Sequence, residues 1–403
     1  MKNFTGFIIR QRRLQQGYSQ EDLCRGICAV SYLSKIEQGV GNPSPAILQD
    51  LYARLGIRYN EDRSLTEKAQ GMLDSYFDKF FHNESAESEE AFLDLHQNEL
   101  ENCELHLSWH IFHLYALIRK HGKKAPLCFQ EEAYLSRFKE NMEEDQLYLY
   151  YVGAGLLESD EQLEYLRLAE TIRPGSFVKQ SIAECWYSRR EYMQAIQAAD
   201  RAFAAAAEEG SLSTMLWSSY LLGACYSNFN DLSFMLRYYK RAMELARGYD
   251  SSVTARIRFN IGSAYLEHHR YQEAAPYLLA SLQGSGSGLE EQKILAGQKL
   301  SVCYYETGQN AFGHQYLQQA MNRCTDRMPK IYRDLLYFTQ LRYVRKDQAA
   351  EEYESLLQEL FRASRAQLGE GYYRLFADHM IEMYVEQRRY KEALALRSEV
   401  AFV

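Results

Sequence analysis

Four stretches between residues 182 and 320 repeat one pattern at nearly constant distance: IAECWYSRREYMQAIQAADRA, LGACYSNFNDLSFMLRYYKRA, IGSAYLEHHRYQEAAPYLLAS and LSVCYYETGQNAFGHQYLQQA. Each has a small residue (Ala183, Gly223, Gly262, Ser301), an aromatic three positions on, and small or apolar residues twelve, sixteen and nineteen positions on. The anchors lie 40, 39 and 39 residues apart. A unit of this kind cannot bury its apolar face alone, so successive units must stack into one continuous core. The period predicts further anchors near 341 and 381. Leu341 opens a degenerate copy, LRYVRKDQAAEEYESLLQEL, and Ile381 a good one, IEMYVEQRRYKEALALRSEV. Residues 148–174 read as another unit, and residues 68–140 as helical with blurred repeats. Six prolines in 403 residues and scarce strand-type alternation agree with an all-α fold.

The small–aromatic–small spacing resembles the tetratricopeptide repeat, in which the small residue lets the first helix approach the second and the aromatic fills the gap. The usual period is about 34 residues, so each unit here carries longer helices or loops. The resemblance implies a right-handed α-solenoid with a concave groove lined by the first helix of each pair. With each anchor at repeat position 8, positions 2, 5, 6 and 9 supply the groove residues. They give Gln180, Glu184, Tyr220, Arg256, Asn260, Lys299, Arg342 and His379 as candidates for binding a peptide. Asn260 is the most telling, because an asparagine at position 6 offers a donor and an acceptor to a peptide backbone. The alternative for the set is an ordinary solvated groove face.

Charge separates the N-terminal segment from this body. Residues 1–60 hold eight Lys/Arg against four Asp/Glu, a net of +4, within a chain of −8. The remainder therefore carries −12, and only the head suits a polyanion. Residues 4–16 place Phe4, Phe7, Ile8 and Leu14 near one face, with Arg10, Arg12 and Arg13 mostly away from it, which is an amphipathic helix. Gly17 ends it, and Ser19-Gln20-Glu21-Asp22 reads as a capping box opening a second helix. Gly26 stops that helix. A third runs inward through Leu33 and Ile36, with Gly39 as its C-cap. Asn42-Pro43 makes a turn, Ser44-Pro45 caps a fourth helix, and Gly56 closes it.

Helix, tight turn, helix in a basic unit of this size is the arrangement that lets a second helix enter the major groove while the first crosses the backbone. The run GYSQEDLCRGICAVSYLSKIEQGVGNPSPAILQDLYARLGI resembles the Cro/repressor (XRE-type) helix-turn-helix. Its GICAVSYLSKIEQG phrase is similar to that of the peptide-controlled regulators of Gram-positive bacteria, the Rgg/PlcR/NprR/PrgX (RRNPP) group. The resemblance implies that Gln20 contacts phosphate and braces the recognition helix. It further implies that Val30, Ser31, Tyr32 and Lys35 face the groove, with Lys35 on guanine or phosphate, and that Arg10, Ser34 and Gln38 touch the DNA backbone. Glu37 is expected to contact an arginine of the first helix. Ala29 stands where the family usually has a capping Ser or Thr, and alanine is a poor N-cap.

The remaining constellations read as structure. Cys24 and Cys28 share a helical face without a nearby histidine and belong to the core. His106, His110 and His113 fall at i, i+4 and i+7 without an HExxH pattern or paired cysteines, so helix packing is expected rather than a metal site. The glycine-rich 283–292 stretch lacks the Lys-Ser/Thr of a phosphate loop and reads as a loop between repeats. No nucleophile motif or dinucleotide fingerprint is present, so neither enzyme activity nor a cofactor is expected. The first apolar patch is too short for a signal peptide, no stretch approaches a membrane span, and a cytoplasmic location follows as an expectation. The expected organisation is a five-helix DNA-binding domain over 1–60, a linker over 61–75 and a repeat domain over 76–403. The expected function is a homodimeric transcription regulator that binds double-stranded operator DNA and senses a short signalling peptide. In the alternatives, the repeats dock a protein partner, or the protein modulates another signalling protein.

Overall fold

The structure is a computed structural model that describes residues 4–41, 43–58, 62–248, 251–284, 289–344 and 350–401. Their regular secondary structure is helical throughout. The Asn42 turn residue lies outside the described residues, as do the Phe4 side chain and residues 285–288 of the glycine-rich stretch. The chain forms two compact units, residues 1–185 and 186–403.

The first unit opens with a head of four helices, α1 (Phe4–Gln15), α2 (Gln20–Cys24), α3 (Val30–Glu37) and α4 (Pro45–Arg54). The glycines that punctuate it (Gly17, Gly26, Gly39 and Gly56) all sit in the left-handed region, φ between +63° and +75°, where a side chain would be strained. Ser19 caps α2, its Oγ accepting from the Asp22 amide at 3.0 Å. Ile8, Ile9, Leu23, Leu33, Ile36 and Leu51 form the core. Leu14 instead is 54% exposed, and Ile9 takes the inward place on α1. α1 crosses α3 so closely that a Cβ on Gly6 would fall 1.7 Å from the Ile36 carbonyl oxygen. Cys24 is buried and Cys28 half-buried, both as free thiols.

The head is followed by α5 (Arg63–Phe81), α6 (Glu87–Leu95), α7 (Gln97–Leu100), α8 (His106–His121), α9 (Pro126–Leu135), a 3-10 turn (Ser136–Asn141), α10 (Glu144–Leu156), α11 (Gln162–Ile172) and α12 (Ser176–Ser188). Residues 63–75 thus lie inside a 19-residue helix, N-capped by Asp62 on the Leu65 amide. α1 docks directly on this part of the unit. Phe7 packs edge-on against Phe138 at 4.4 Å and against His106 at 5.5 Å, and Arg12 reaches Glu101 at 3.2 Å. α5 and α6 are joined by a buried carboxylate: Glu89 accepts from Lys79 at 2.7 Å, Ser75 at 3.0 Å and Ser88 at 2.9 Å. The Lys79 contact above all holds its pKa down to about 2. A carboxyl depressed in the fold stabilises above its unfolded pKa, about 4.3. That stability should be lost as pH falls from there through 2. Glu89→Gln should remove this part of the acid sensitivity, read by unfolding midpoints across pH.

The second unit contains α13 (Tyr192–Glu209), α14 (Leu212–Asn228), α15 (Leu232–Leu245), α16 (Ser251–Glu267), α17 (Tyr271–Leu282), α18 (Glu290–Glu306), α19 (Asn310–Arg323), α20 (Lys330–Val344), α21 (Ala350–Gln367), α22 (Glu370–Glu386) and α23 (Tyr390–Ala401). These are the stacked pairs that the period near 40 requires. The anchors do what the pattern implies: a Cβ on Gly223 would lie 2.6 Å from the Tyr239 ring, and one on Gly262 2.7 Å from Leu278. The aromatic three residues beyond Gly223, Gly262 and Ser301 stacks on a tyrosine of the partner helix. The pairs are Tyr226 on Tyr238 (5.4 Å), Tyr265 on Tyr277 (5.8 Å) and Tyr304 on Tyr316 (5.5 Å). One further contact is not sequential. α22 packs against α14 and α16, drawn there by Arg374, which donates to the Ser227 carbonyl at 2.6 Å and the Asn228 carbonyl at 3.3 Å.

Candidate DNA-binding and peptide-binding sites

In the head, the polar residues divide into those that lock α3 in place and those that α3 displays. Arg13 of α1 grips Glu37 at the end of α3 in a bidentate pair, Nε to Oε1 at 2.7 Å and Nη2 to Oε2 at 2.9 Å. Its third donor goes to the Tyr18 carbonyl at 2.9 Å. Gln20, at the start of α2, donates to the same carboxylate at 2.8 Å. Glu37 therefore ties α1, α2 and α3 together, and the arginine expected to meet it is Arg13.

With Leu33, Ile36 and Glu37 turned inward, the outward side of α3 carries Val30, Ser31 and Lys35, all exposed, and Gln38 just beyond its end. Tyr32 and Ser34 are half-buried, and Arg10 is exposed on α1. Gln38 donates to the Ser34 hydroxyl at 3.5 Å. The helix begins at Val30 with Ala29 as N-cap in extended backbone and no side-chain cap bond. The methyl side chain of Ala29 offers no acceptor to the first-turn amides of α3.

The eight groove candidates fall into separate groups. Gln180 and Glu184, at the end of the first unit, hydrogen-bond each other at 3.1 Å, and Glu184 pairs with Lys123 at 3.5 Å. In the second unit Tyr220 of α14 meets Arg256 and Asn260 of α16. Burial pushes the Tyr220 phenol up, and the Asn260 hydrogen bond and the Arg256 charge oppose it. Arg256 is exposed and Asn260 half-buried. Lys299 is only 5% exposed, 3.7 Å from Glu267 and over the Tyr372 ring at 4.5 Å. Burial lowers its pKa, and Glu267 works against that. Arg342 pairs with Glu382 at 3.2 Å, and the buried His379 approaches the same carboxylate at 3.4 Å.

Sequence reasoning missed the partners that tie these candidates down. Glu267 holds Lys299 and lies 3.9 Å from Arg374, while Tyr372 donates to Gln298 at 3.0 Å. Glu267 ends α16 and Arg374 lies in the second turn of α22, so no local pattern links them.

Residues 9–61 match the family described as Helix-turn-helix. Over 358 residues the chain is 26% identical to the transcriptional activator NprA of Geobacillus stearothermophilus, covering 83% of this chain and 86% of that protein. Its fold is similar to the apo form of the quorum sensor NprR from B. thuringiensis. The TM-score is 0.65 at 17% identity, with 83% of this chain and 98% of that one covered. The chain carries a helix-turn-helix domain and is similar over most of its length to a transcriptional activator. The chain is also similar in fold to NprR in complex with its cognate peptide NprX, with a TM-score of 0.52 at 19% identity, covering 80% of this chain and 99% of that one. None of the described helices is long and apolar enough to cross a membrane.

Proposed function

We propose that this protein is a cytoplasmic transcription regulator whose head reads double-stranded DNA and whose repeats sense a short signalling peptide. The carrying observation is the division of α3: its inner side is fixed by Arg13, Gln20 and Glu37, and its outer side presents Val30, Ser31 and Lys35. Those residues enter the major groove, with Tyr32 beside them, and Arg10, Gln20, Ser34 and Gln38 meet the phosphates. The protein acts as a homodimer, each head taking one half of a two-fold related operator. In the second unit, Tyr220, Arg256 and Asn260 converge from neighbouring repeats as the centre of the peptide site. Gln180, Glu184, Lys299, Arg342 and His379 extend the candidate set. A peptide changes DNA binding only through its different affinity for the body's conformations.

Asn260→Ala should lower the recovery of bound peptides from a library of short synthetic peptides at least tenfold, read by mass spectrometry. DNA binding by the same variant should stay at the wild-type level. Equal peptide recovery by variant and wild type would remove Asn260 from the site.

A further inference from the structure

The histidine row of α8 acquires in three dimensions the carboxylate that its sequence lacks. Glu131 of α9 points between His110 and His113, with Oε1 2.6 Å from His110 Nδ1 and Oε2 3.4 Å from His113 Nδ1. One donor atom from each of the three residues lies within 4.8 Å of the other two. The group is mostly enclosed: the side chains of His110 and Glu131 are 13% and 14% exposed, that of His113 33%. His113 Nδ1 is buried and makes no well-aligned hydrogen bond, although it lies 3.4 Å from Glu131 Oε2. A ring nitrogen in that position is aimed at a carboxylate without being satisfied by it.

We propose that His110, His113 and Glu131 form a binding site for a divalent transition-metal ion of the zinc class. Two imidazoles and one carboxylate are a borderline-soft donor set that suits zinc, cobalt and nickel over magnesium or calcium. Three protein ligands on a tetrahedral ion leave the fourth position to water on the more open side of His113. Bonds of about 2.0–2.2 Å require the carboxylate to draw back from His110 as the ion enters.

The rings are held for this task by their neighbours. Trp109 stacks on His113 at 4.9 Å and 17°, while His110 lies 4.5 Å from the Tyr134 ring and 4.6 Å from that of His106. His106 fills the packing role expected of it. Its Nδ1 meets the Glu101 carbonyl at 2.6 Å, its Nε2 the Tyr134 hydroxyl at 2.8 Å, and its ring packs on Phe7 of the head. The site is therefore one ring away from the surface on which α1 rests, and an ion crosslinking α8 to α9 stiffens that seat.

The test uses the full, untagged chain stripped with chelator and titrated with Co²⁺, whose visible ligand-field absorption reports a tetrahedral site, with Zn²⁺ as competitor. One ion per chain should bind, and Zn²⁺ should bleach the signal. Loss of an outer-shell partner alone costs about 10–100-fold in affinity, so His113→Ala and the isosteric Glu131→Gln should each weaken binding by more than tenfold. His314→Ala, an exposed helical histidine elsewhere, should leave it unchanged. Circular dichroism of the metal-free variants checks that the helices are retained, and Glu131→Gln preserves side-chain volume if His113→Ala disturbs packing. Cobalt binding equal in wild type and Glu131→Gln, or absent in wild type, overturns the site.

Discussion

Glu37→Ala should destabilise the head by about 3–5 kcal/mol, the cost of leaving a buried charge without its partner. Both members of the pair are inside, with side-chain exposures of 10% for Arg13 and 3% for Glu37, so solvent screens little of the effect. The substitution strands two guanidinium donors and the Gln20 amide at once. Since native domains are stable by only about 5–15 kcal/mol in total, a head of this size should lose most of its folded population, and DNA binding with it. Hydrogen exchange of the full chain measures this directly: amides of α1 to α3 should exchange at near-unfolded rates while those of α14 to α19 remain protected. Replacing the pair together, Arg13→Met with Glu37→Leu, should recover much of the loss, because an apolar pair of similar volume removes the stranded charge. Wild-type protection in Glu37→Ala would mean that the pair does not hold the head together.

Ser31→Ala combined with Lys35→Ala should have the opposite character: a folded head that no longer binds its operator. Both residues are exposed on α3, so their loss opens no cavity, and hydrogen exchange should match the wild type. Affinity should fall by at least tenfold per half-site, since a specific base contact is worth about 1–3 kcal/mol. Salt separates the two possible partners of Lys35. A dimer neutralising roughly eight phosphates loses on the order of a thousandfold or more in affinity between 50 and 200 mM salt. If Lys35 touches phosphate, Lys35→Ala should lower the salt slope by about two per dimer, one per head. If it reads guanine, the slope should hold and discrimination at that base should relax. Operator affinity unchanged in the double variant would remove α3's outer face from the interface.

The parts of this architecture that were legible in the sequence are those whose physics is local or periodic. Gly17, Gly26, Gly39 and Gly56 announce helix ends because the left-handed backbone there favours glycine. Gly223 and Gly262 announce the repeats because a tyrosine or leucine of the partner helix occupies the space of a Cβ. Ala29 is instructive in the other direction: a poor cap did not move the start of α3, since the burial of Leu33 and Ile36 fixes its phase. What could not be read joins residues far apart in the chain. Phe7 fits the apolar stripe of α1 but is spent on Phe138 and His106, and Arg12, read as pointing away from the core, is tied to Glu101. Residues 63–75 carry no glycine–proline punctuation beyond Gly71 and lie within α5. Lys299 reads as a groove cation from its repeat position. It is buried because α22 brings Tyr372 over it and Glu267 turns toward it.

The central claim is that α3 reads DNA under the control of a peptide bound by the repeats. Selection of random-sequence duplex DNA by the full chain, with and without a library of short synthetic peptides, tests it most directly. The account predicts that the wild type enriches a two-fold symmetric sequence, that enrichment changes in strength when peptides are present, and that Ser31→Ala with Lys35→Ala enriches nothing. The same enriched sequences from the wild type and the α3 double variant, untouched by peptides, would contradict it.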